Sequence, residues 1–272
     1  MLSIVLITLI SCIGGKVSEN KEFTKRAKDI HTSRWENLSK KKIYFGHQSV
    51  GFNIVDGIKD VMKYNPQIKL NIVESSDPSE FDKPVFAHSR LGENYDPISK
   101  NNAFEQFIRK GIGESADFVF FKYCYVDVKS ETDVEKLFSE YRDTLAKLKK
   151  EYPETTFIHV TVPLVAVQKG PRVWVKKLIG REIGGYRDNI KRNQYNDILR
   201  NHYQGKDPVF DLGQIESTFY DGRVEIFKED GKEYHALVPQ YASDGRHLNE
   251  EGRLIVAEQL LVFLANLPDS AD

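Results

Sequence analysis

Two short segments near opposite ends of the 272-residue chain carry side chains that could act together in nucleophilic catalysis. In KIYFGHQSVGFNIVDGI (residues 42–58), a β-branched and aromatic run gives way to apolar residues at helical spacing, and Ser49 lies at the change. In SDGRHLNEEG, Asp244 and His247 are three residues apart. A histidine can accept the proton of a serine hydroxyl when an aspartate bonds its second ring nitrogen. The two segments therefore predict a Ser49–His247–Asp244 triad, although Ser49 by itself is better explained as a helix N-cap.

The elements that must position these residues alternate between strands and helices from residue 40 onward. Strands are predicted at KKIYFG, IKLNIVES, DFVFFKYCYVDV, TFIHVTVPL and PVFDLG, and a long polar loop at SDPSEFDKPVFAHSRLGENYDPISKN. The four apolar residues at 118–121 indicate a strand buried on both faces of a parallel sheet. This order predicts an α/β fold, a three-layer α/β/α flavodoxin-like sandwich with a central parallel sheet. Ligands of such sheets bind at the carboxyl ends of the strands, and Ser49 follows one of those ends.

The chain resembles the SGNH/GDSL hydrolases over residues 40 to about 265. The segment DGRHLNEEG matches the last block of that family, Asp-x-x-His-Leu/Pro-Asn-x-x-Gly. The segment GHQS, ending at Ser49, corresponds to the first block but has an extra residue and lacks the aspartate. Gly92 in RLGENYDP is the best match to the glycine of the second block. The resemblance implies a serine esterase that needs no metal or cofactor, with the backbone N–H groups of Ser49 and Gly92 as oxyanion donors.

The third block of the resembled family, Gly-x-Asn, is missing from this chain. The corresponding segment is KYCYVD, in which Cys124, Tyr125 and Val126 occupy the middle positions. The family uses that asparagine as an oxyanion donor, and loss of one such donor can lower turnover by about 10²–10³-fold. We expect Asn94 to supply a substitute amide; the alternative is a charge contributed by Lys122 at the end of its strand. His47 and Lys122, at two strand ends, are predicted to contact the substrate.

Composition limits the classes of partner. With 40% hydrophobic residues, 29% charged residues and a net charge of -1, the chain is suited to a single globular core and not to a nucleic-acid partner recognised through bulk charge. No Cys/His spacing of the zinc type occurs, so no metal is predicted.

The first residues predict a targeting segment. MLSIVLITLISC is an apolar run too short to span a bilayer, and LISC resembles a bacterial lipobox with lipid on Cys12. The alternatives are an uncleaved anchor or a signal cut elsewhere. We predict a signal peptide over 1–12, a tether and N-terminal helix over 13–39, and the hydrolase-like domain over 40–267. A lipid anchor would place the protein on a membrane of the bacterial cell envelope.

The predicted activity is removal of acetyl or similar acyl groups from carbohydrate or other small esters. A glycan O-acetyltransferase would use the same residues. A non-catalytic glycan-binding lipoprotein with a relic site is the third hypothesis, because the third block is missing.

Overall fold

The computed structural model describes residues 23–268 except for 180 and 182. The predictions over residues 1–22, including lipidated Cys12, lie outside the described residues. The helices are α1 (Arg26–Asp29), α2 (Thr32–Leu38), α3 (Val50–Tyr64), α4 (Pro97–Phe107), α5 (Gly113–Ser115), α6 (Val134–Glu151), α7 (Pro171–Leu178), α8 (Tyr186–Tyr203), α9 (Leu212–Ser217) and α10 (Glu250–Ala265). The strands are β1 (Lys42–His47), β2 (Ile72–Glu74), β3 (Val85–Arg90), β4 (Phe118–Phe121), β5 (Thr156–Val160), β6 (Val209–Phe210), β7 (Ile226–Glu229) and β8 (Lys232–His235).

A six-stranded sheet in the order β2-β3-β1-β4-β5-β6 forms the centre of the fold, and all its pairings are parallel. Alternate side chains of β1 and β4 enter separate apolar clusters on the two faces, as period-two strands require. Ile43 and Phe45 face the cluster that holds α3 and α10, and Tyr44 faces the cluster that holds α4 and α6. All four residues of β4 are buried. The predicted α/β sandwich is confirmed.

Strand β3 is absent from the sequence prediction, which assigned residues 76–101 to a loop. It pairs with β1 in register from Lys42 opposite Val85 to His47 opposite Arg90. Pro84 immediately before it and the polar residues near its end obscure the strand pattern. Because β3 neighbours β1, the turn after β3 lies beside the turn after β1. This pairing brings Gly92 to the same end of the sheet as Ser49.

Helices α3 and α10 pack closely, and this contact connects the two predicted catalytic segments. A Cβ added at Gly57 of α3 would lie 2.2 Å from the carbonyl oxygen of Arg253 in α10, so only glycine permits the approach. The Arg253 guanidinium also pairs with Asp60 of α3 at 2.6 Å. Near the start of α3, the Asn53 Oδ1 accepts a hydrogen bond from the Leu248 N–H at 3.2 Å. The helix that follows Ser49 thus anchors the loop that carries His247.

The folded unit extends N-terminal of the predicted start at residue 40. Ala27 is fully buried, and its N–H donates to the Glu258 carboxylate of α10 at 2.9 Å. The indole of buried Trp35 donates to the Ala27 carbonyl at 3.2 Å. Part of the predicted tether therefore packs on the domain. Among the described helices, none is long and apolar enough to cross a bilayer.

Candidate active site

Ser49 occupies a sharp turn between β1 and α3. Its backbone has φ 51° and ψ −111°, which is sparsely populated for a residue with a side chain. Its hydroxyl makes no capping bond to the helix that follows, so the N-cap interpretation is wrong. The His47 ring packs against the start of α3, because a Cβ added at Gly51 would lie 2.3 Å from that ring. The Ser49 hydroxyl is therefore not used to cap the helix.

The loop from Ser243 to Leu248 presents the histidine. The Asp244 Oδ1 accepts the backbone N–H groups of Arg246 and His247 at 2.9 and 2.8 Å. Gly245, with φ +80°, allows the chain to close around the carboxylate, and its carbonyl accepts the Ala166 N–H at 2.8 Å. The loop geometry therefore holds the carboxylate and the imidazole together.

Ser49, His247 and Asp244 form a continuous hydrogen-bonded relay. The Ser49 Oγ lies 2.7 Å from the His247 Nε2, and the His247 Nδ1 lies 2.7 Å from the Asp244 Oδ2. The hydrogen bond from the His247 ring, together with the two backbone N–H groups, lowers the pKa of Asp244 to about 2. An ionised Asp244 fixes the proton on Nδ1, which leaves Nε2 free to accept the serine proton. The arrangement can generate a serine nucleophile.

Gly92 lies on the turn after β3, and its geometry requires glycine. Its φ is +55°, and an added Cβ would lie 2.6 Å from the backbone nitrogen of Lys100. The Gln48 side-chain amide donates to the carbonyls of Leu91 and Gly92, which connects this turn to the residue before Ser49. Within residues 23–268, neither the Ser49 N–H nor the Gly92 N–H donates a hydrogen bond to the protein. Both are therefore available to an oxyanion.

A buried ion pair joins the Gly92 turn to the loop that follows β4. Lys100 and Asp127 have no exposed side-chain surface, and the Lys100 Nζ lies 2.6 Å from the Asp127 Oδ2. The ammonium also donates to the Glu93 carbonyl at 3.0 Å. The Asp127 carboxylate accepts the N–H groups of Tyr95 and Cys124 at 3.0 and 2.6 Å. One ion pair thus fixes two loops that border the relay, and sequence patterns gave no sign of it.

Tyr125 lies beside the relay and was not among the predicted site residues, although it belongs to the third-block segment. It belongs to the 3₁₀ turn Tyr125–Asp127 after β4, and its ring meets the His247 ring edge-on with centroids 5.7 Å apart. Its hydroxyl lies near the side chains of Ser49 and Arg246. Asn94, the predicted substitute donor, is exposed, and its Oδ1 lies 3.5 Å from the Lys100 Nζ.

The predicted substrate contacts of His47 and Lys122 are wrong, because both side chains are buried. The His47 Nε2 lies 3.1 Å from the His88 Nδ1, and burial lowers the pKa of His47 to about 2. His47 is therefore a neutral support beneath the Ser49 turn. The Lys122 ammonium lies 3.4 Å from the carbonyl of Tyr123 and points into the protein. Strand-end position does not imply access to a ligand when the next turn covers the side chain.

A cavity of about 300 Å³ adjoins the relay on the side of Asp244. Its lining combines tyrosines with charged and amide side chains, chiefly Tyr95, Tyr125, Gln168, Asp188, Arg192 and Arg246. The Tyr95 side chain is 69% exposed. Such a lining can hydrogen-bond a polar molecule and stack on its apolar faces. No group of His, Cys, Asp and Glu in the described part of the chain could hold a metal ion.

Comparison with solved structures gives likenesses at the level of the fold. A candidate platelet activating factor from Streptococcus pneumonia is 12% identical, with a TM-score of 0.48 over 94% of this chain and 97% of that one. A candidate lipolytic protein of the G-D-S-L family from Desulfitobacterium hafniense DCB-2 is 8% identical, with a TM-score of 0.48 over 82% and 99%. The periplasmic domain of a lipopolysaccharide acetyltransferase from Salmonella ser. Paratyphi A is 11% identical, with a TM-score of 0.45 over 81% and 82%. No protein-family model and no curated protein matches the sequence. The chemistry of the site is therefore inferred from its own geometry.

Proposed function

We propose that the protein is a serine hydrolase of carboxylic esters. The observation that carries this proposal is the relay in which the Ser49 Oγ, the His247 imidazole and the Asp244 carboxylate are joined by two contacts of 2.7 Å. The strained backbone of Ser49 and its missing cap contact support the same function, because strain at a turn is retained where a side chain must be presented.

The reaction proceeds in two acyl-transfer steps. His247 accepts the Ser49 proton as the oxygen attacks the ester carbonyl, and the N–H groups of Ser49 and Gly92 bind the oxyanion that forms. The tetrahedral intermediate collapses, the alcohol leaves with the proton from His247, and the acyl group remains on Ser49. Water then attacks the acyl-enzyme with His247 as base, which releases the carboxylic acid and restores the serine.

Hydrolysis is favoured over transfer to a second alcohol by the openness of the relay. The side chains of His247 and Asp244 are 36% and 53% exposed. Water therefore has access to the histidine that must activate it. A transferase has to exclude water from its acyl-enzyme, and no such exclusion is evident at these two residues.

We further propose that the substrate is a small acyl group, such as acetyl, on a carbohydrate or a similarly polar alcohol. The cavity beside Asp244 supports this substrate class. It offers amide, carboxylate and guanidinium groups for hydroxyls, and the exposed Tyr95 ring for a sugar face. The glycan-binding alternative would use the same cavity without cleavage.

Hydrolysis of p-nitrophenyl acetate with a burst of p-nitrophenol, and fluorophosphonate labelling located by mass spectrometry, test the proposal. We expect labelling at Ser49 and a loss of turnover of about 10⁴-fold or more in Ser49→Ala and in His247→Ala, with little further loss in the double variant. His202→Ala, a histidine on α8 outside the site, is the matched control and should retain activity. An unlabelled Ser49, or full activity in Ser49→Ala, would show that the nucleophile is misassigned.

We also propose an envelope location through lipid on Cys12, supported by the apolar run before it and its lipobox-like spacing. In the native host, Cys12→Ser should move the protein from the membrane fraction to the soluble fraction. Membrane retention of the variant, with a chain that still starts at Met1, would contradict the anchor.

A further inference from the structure

Tyr125 lies beside the relay in the folded chain, in an environment that its position in the sequence does not reveal. The side chain is 7% exposed, and its ring lies edge-on to the His247 imidazole at 5.7 Å and 78°. Its hydroxyl lies near the side chains of Ser49 and Arg246. A phenol O–H near the nucleophile is close to the place where the carbonyl oxygen gains charge.

The backbone around Tyr125 is fixed by buried polar contacts. The Arg192 Nε donates to the Tyr125 carbonyl at 2.9 Å, and the Arg192 guanidinium lies 5.9 Å from the ring centroid. The turn that holds the residue closes through the Asp127 carboxylate, which accepts the Cys124 N–H at 2.6 Å. A donor held in this way needs little reorganisation during the reaction, which is the property that makes an oxyanion donor effective.

We infer that the Tyr125 hydroxyl is a third oxyanion donor, beside the N–H groups of Ser49 and Gly92. This inference rests on the proposed function of the site. As the Ser49 oxygen bonds to the carbonyl carbon, negative charge develops on the carbonyl oxygen, and the Tyr125 O–H donates a hydrogen bond to it. The phenol keeps its proton throughout, and no bond of Tyr125 is broken.

Two further features support a donor at this position. Burial raises the pKa of Tyr125, so its hydroxyl keeps its proton at neutral pH. The residue also lies in the KYCYVD segment, where the resembled family would place its asparagine amide. Asn94, by contrast, is exposed and directs its amide oxygen toward Lys100.

The test compares Tyr125→Phe with Asn94→Ala and with Tyr152→Phe, which alters a half-buried tyrosine directly after α6, outside the site. With p-nitrophenyl acetate, Tyr125→Phe should lower kcat about 10²–10³-fold with KM nearly unchanged, because the interaction exists only in the transition state. Asn94→Ala and Tyr152→Phe should stay within about threefold of the unmodified protein, since neither removes an oxyanion donor. The ring that packs on His247 is kept in Tyr125→Phe, so a role limited to packing would leave kcat unchanged.

The outcomes separate the inference from the proposed function. An unmodified protein without esterase activity or Ser49 labelling would overturn the proposed function, and this inference with it. An active protein whose Tyr125→Phe variant keeps its kcat, or whose Asn94→Ala variant loses kcat instead, would overturn the inference alone. A crystal structure of the unmodified protein with a phosphonylated Ser49 gives an answer that does not depend on a variant. We expect a phosphonyl oxygen within hydrogen-bond distance of the Tyr125 hydroxyl, and an oxygen directed elsewhere would overturn the assignment.

Discussion

Replacing Lys100 with methionine should destabilise the protein strongly, because it removes one partner of an ion pair with no exposed surface. The methionine keeps most of the side-chain volume but leaves the Asp127 carboxylate buried without a cation. The Glu93 carbonyl also loses its 3.0 Å donor. Breaking a buried pair in this way costs about 3–5 kcal/mol. For a domain of this size, about 2–4 °C is lost per kcal/mol, so Tm should fall by about 6–20 °C.

Urea and thermal unfolding measure this loss directly, and two further variants define its origin. Lys63→Met removes an exposed partner of Asp60, which keeps its contact with Arg253, and should leave stability nearly unchanged. The double variant Lys100→Met/Asp127→Asn removes both charges and should recover part of the loss, since the amide oxygen can still accept a backbone N–H.

The same substitution should also reduce catalysis, because the ion pair joins the Gly92 turn to the turn that carries Tyr125. We expect kcat of Lys100→Met to fall at temperatures where the variant is still folded.

The stability prediction has its own refutation. If Lys100→Met loses less than about 1 kcal/mol of unfolding free energy, an unpaired buried carboxylate does not govern its stability.

Three further predictions concern single positions. Gly92→Ala should lower turnover by about tenfold or more in the p-nitrophenyl acetate assay, because its Cβ would lie 2.6 Å from the Lys100 nitrogen and displace an oxyanion N–H; unchanged turnover would contradict this. Ser49→Gly should be about 1–2 kcal/mol more stable than Ser49→Ala in urea unfolding, since glycine tolerates φ 51°; the reverse order would show that the turn is unstrained. Burial raises the pKa of Glu216 from 4.5 to about 8. Between these pH values the folded protein binds more protons than the unfolded chain, so its stability falls as the pH rises from about 4.5 to about 8. The Tm of Glu216→Gln minus the Tm of the unmodified protein should therefore be larger at pH 9 than at pH 5. An equal Tm difference at the two pH values would count against this account.

The sequence by itself determined the elements whose signals are local. The apolar run of β4 is buried on both faces, and the amphipathic pattern after Ser49 forms α3, as their residue spacing predicts. The residue types in SDGRHLNEEG also sufficed to single out Asp244 and His247, which close a tight loop on each other over three residues. Such features depend on neighbours within one turn or one strand, where spacing and residue type fix the geometry.

Tertiary structure decided everything that depends on contacts between distant parts of the chain. β3 forms because β1 offers it a partner, despite its polar end and the proline before it. The same pairing brings Gly92 beside Ser49, and it buries His47 against His88, away from any ligand. Tyr125 reaches the relay only because β4 lies next to β1 on its other side. The physical reason is that side-chain type limits what a residue can do, whereas strand order and helix packing decide which groups meet and which are sealed from solvent.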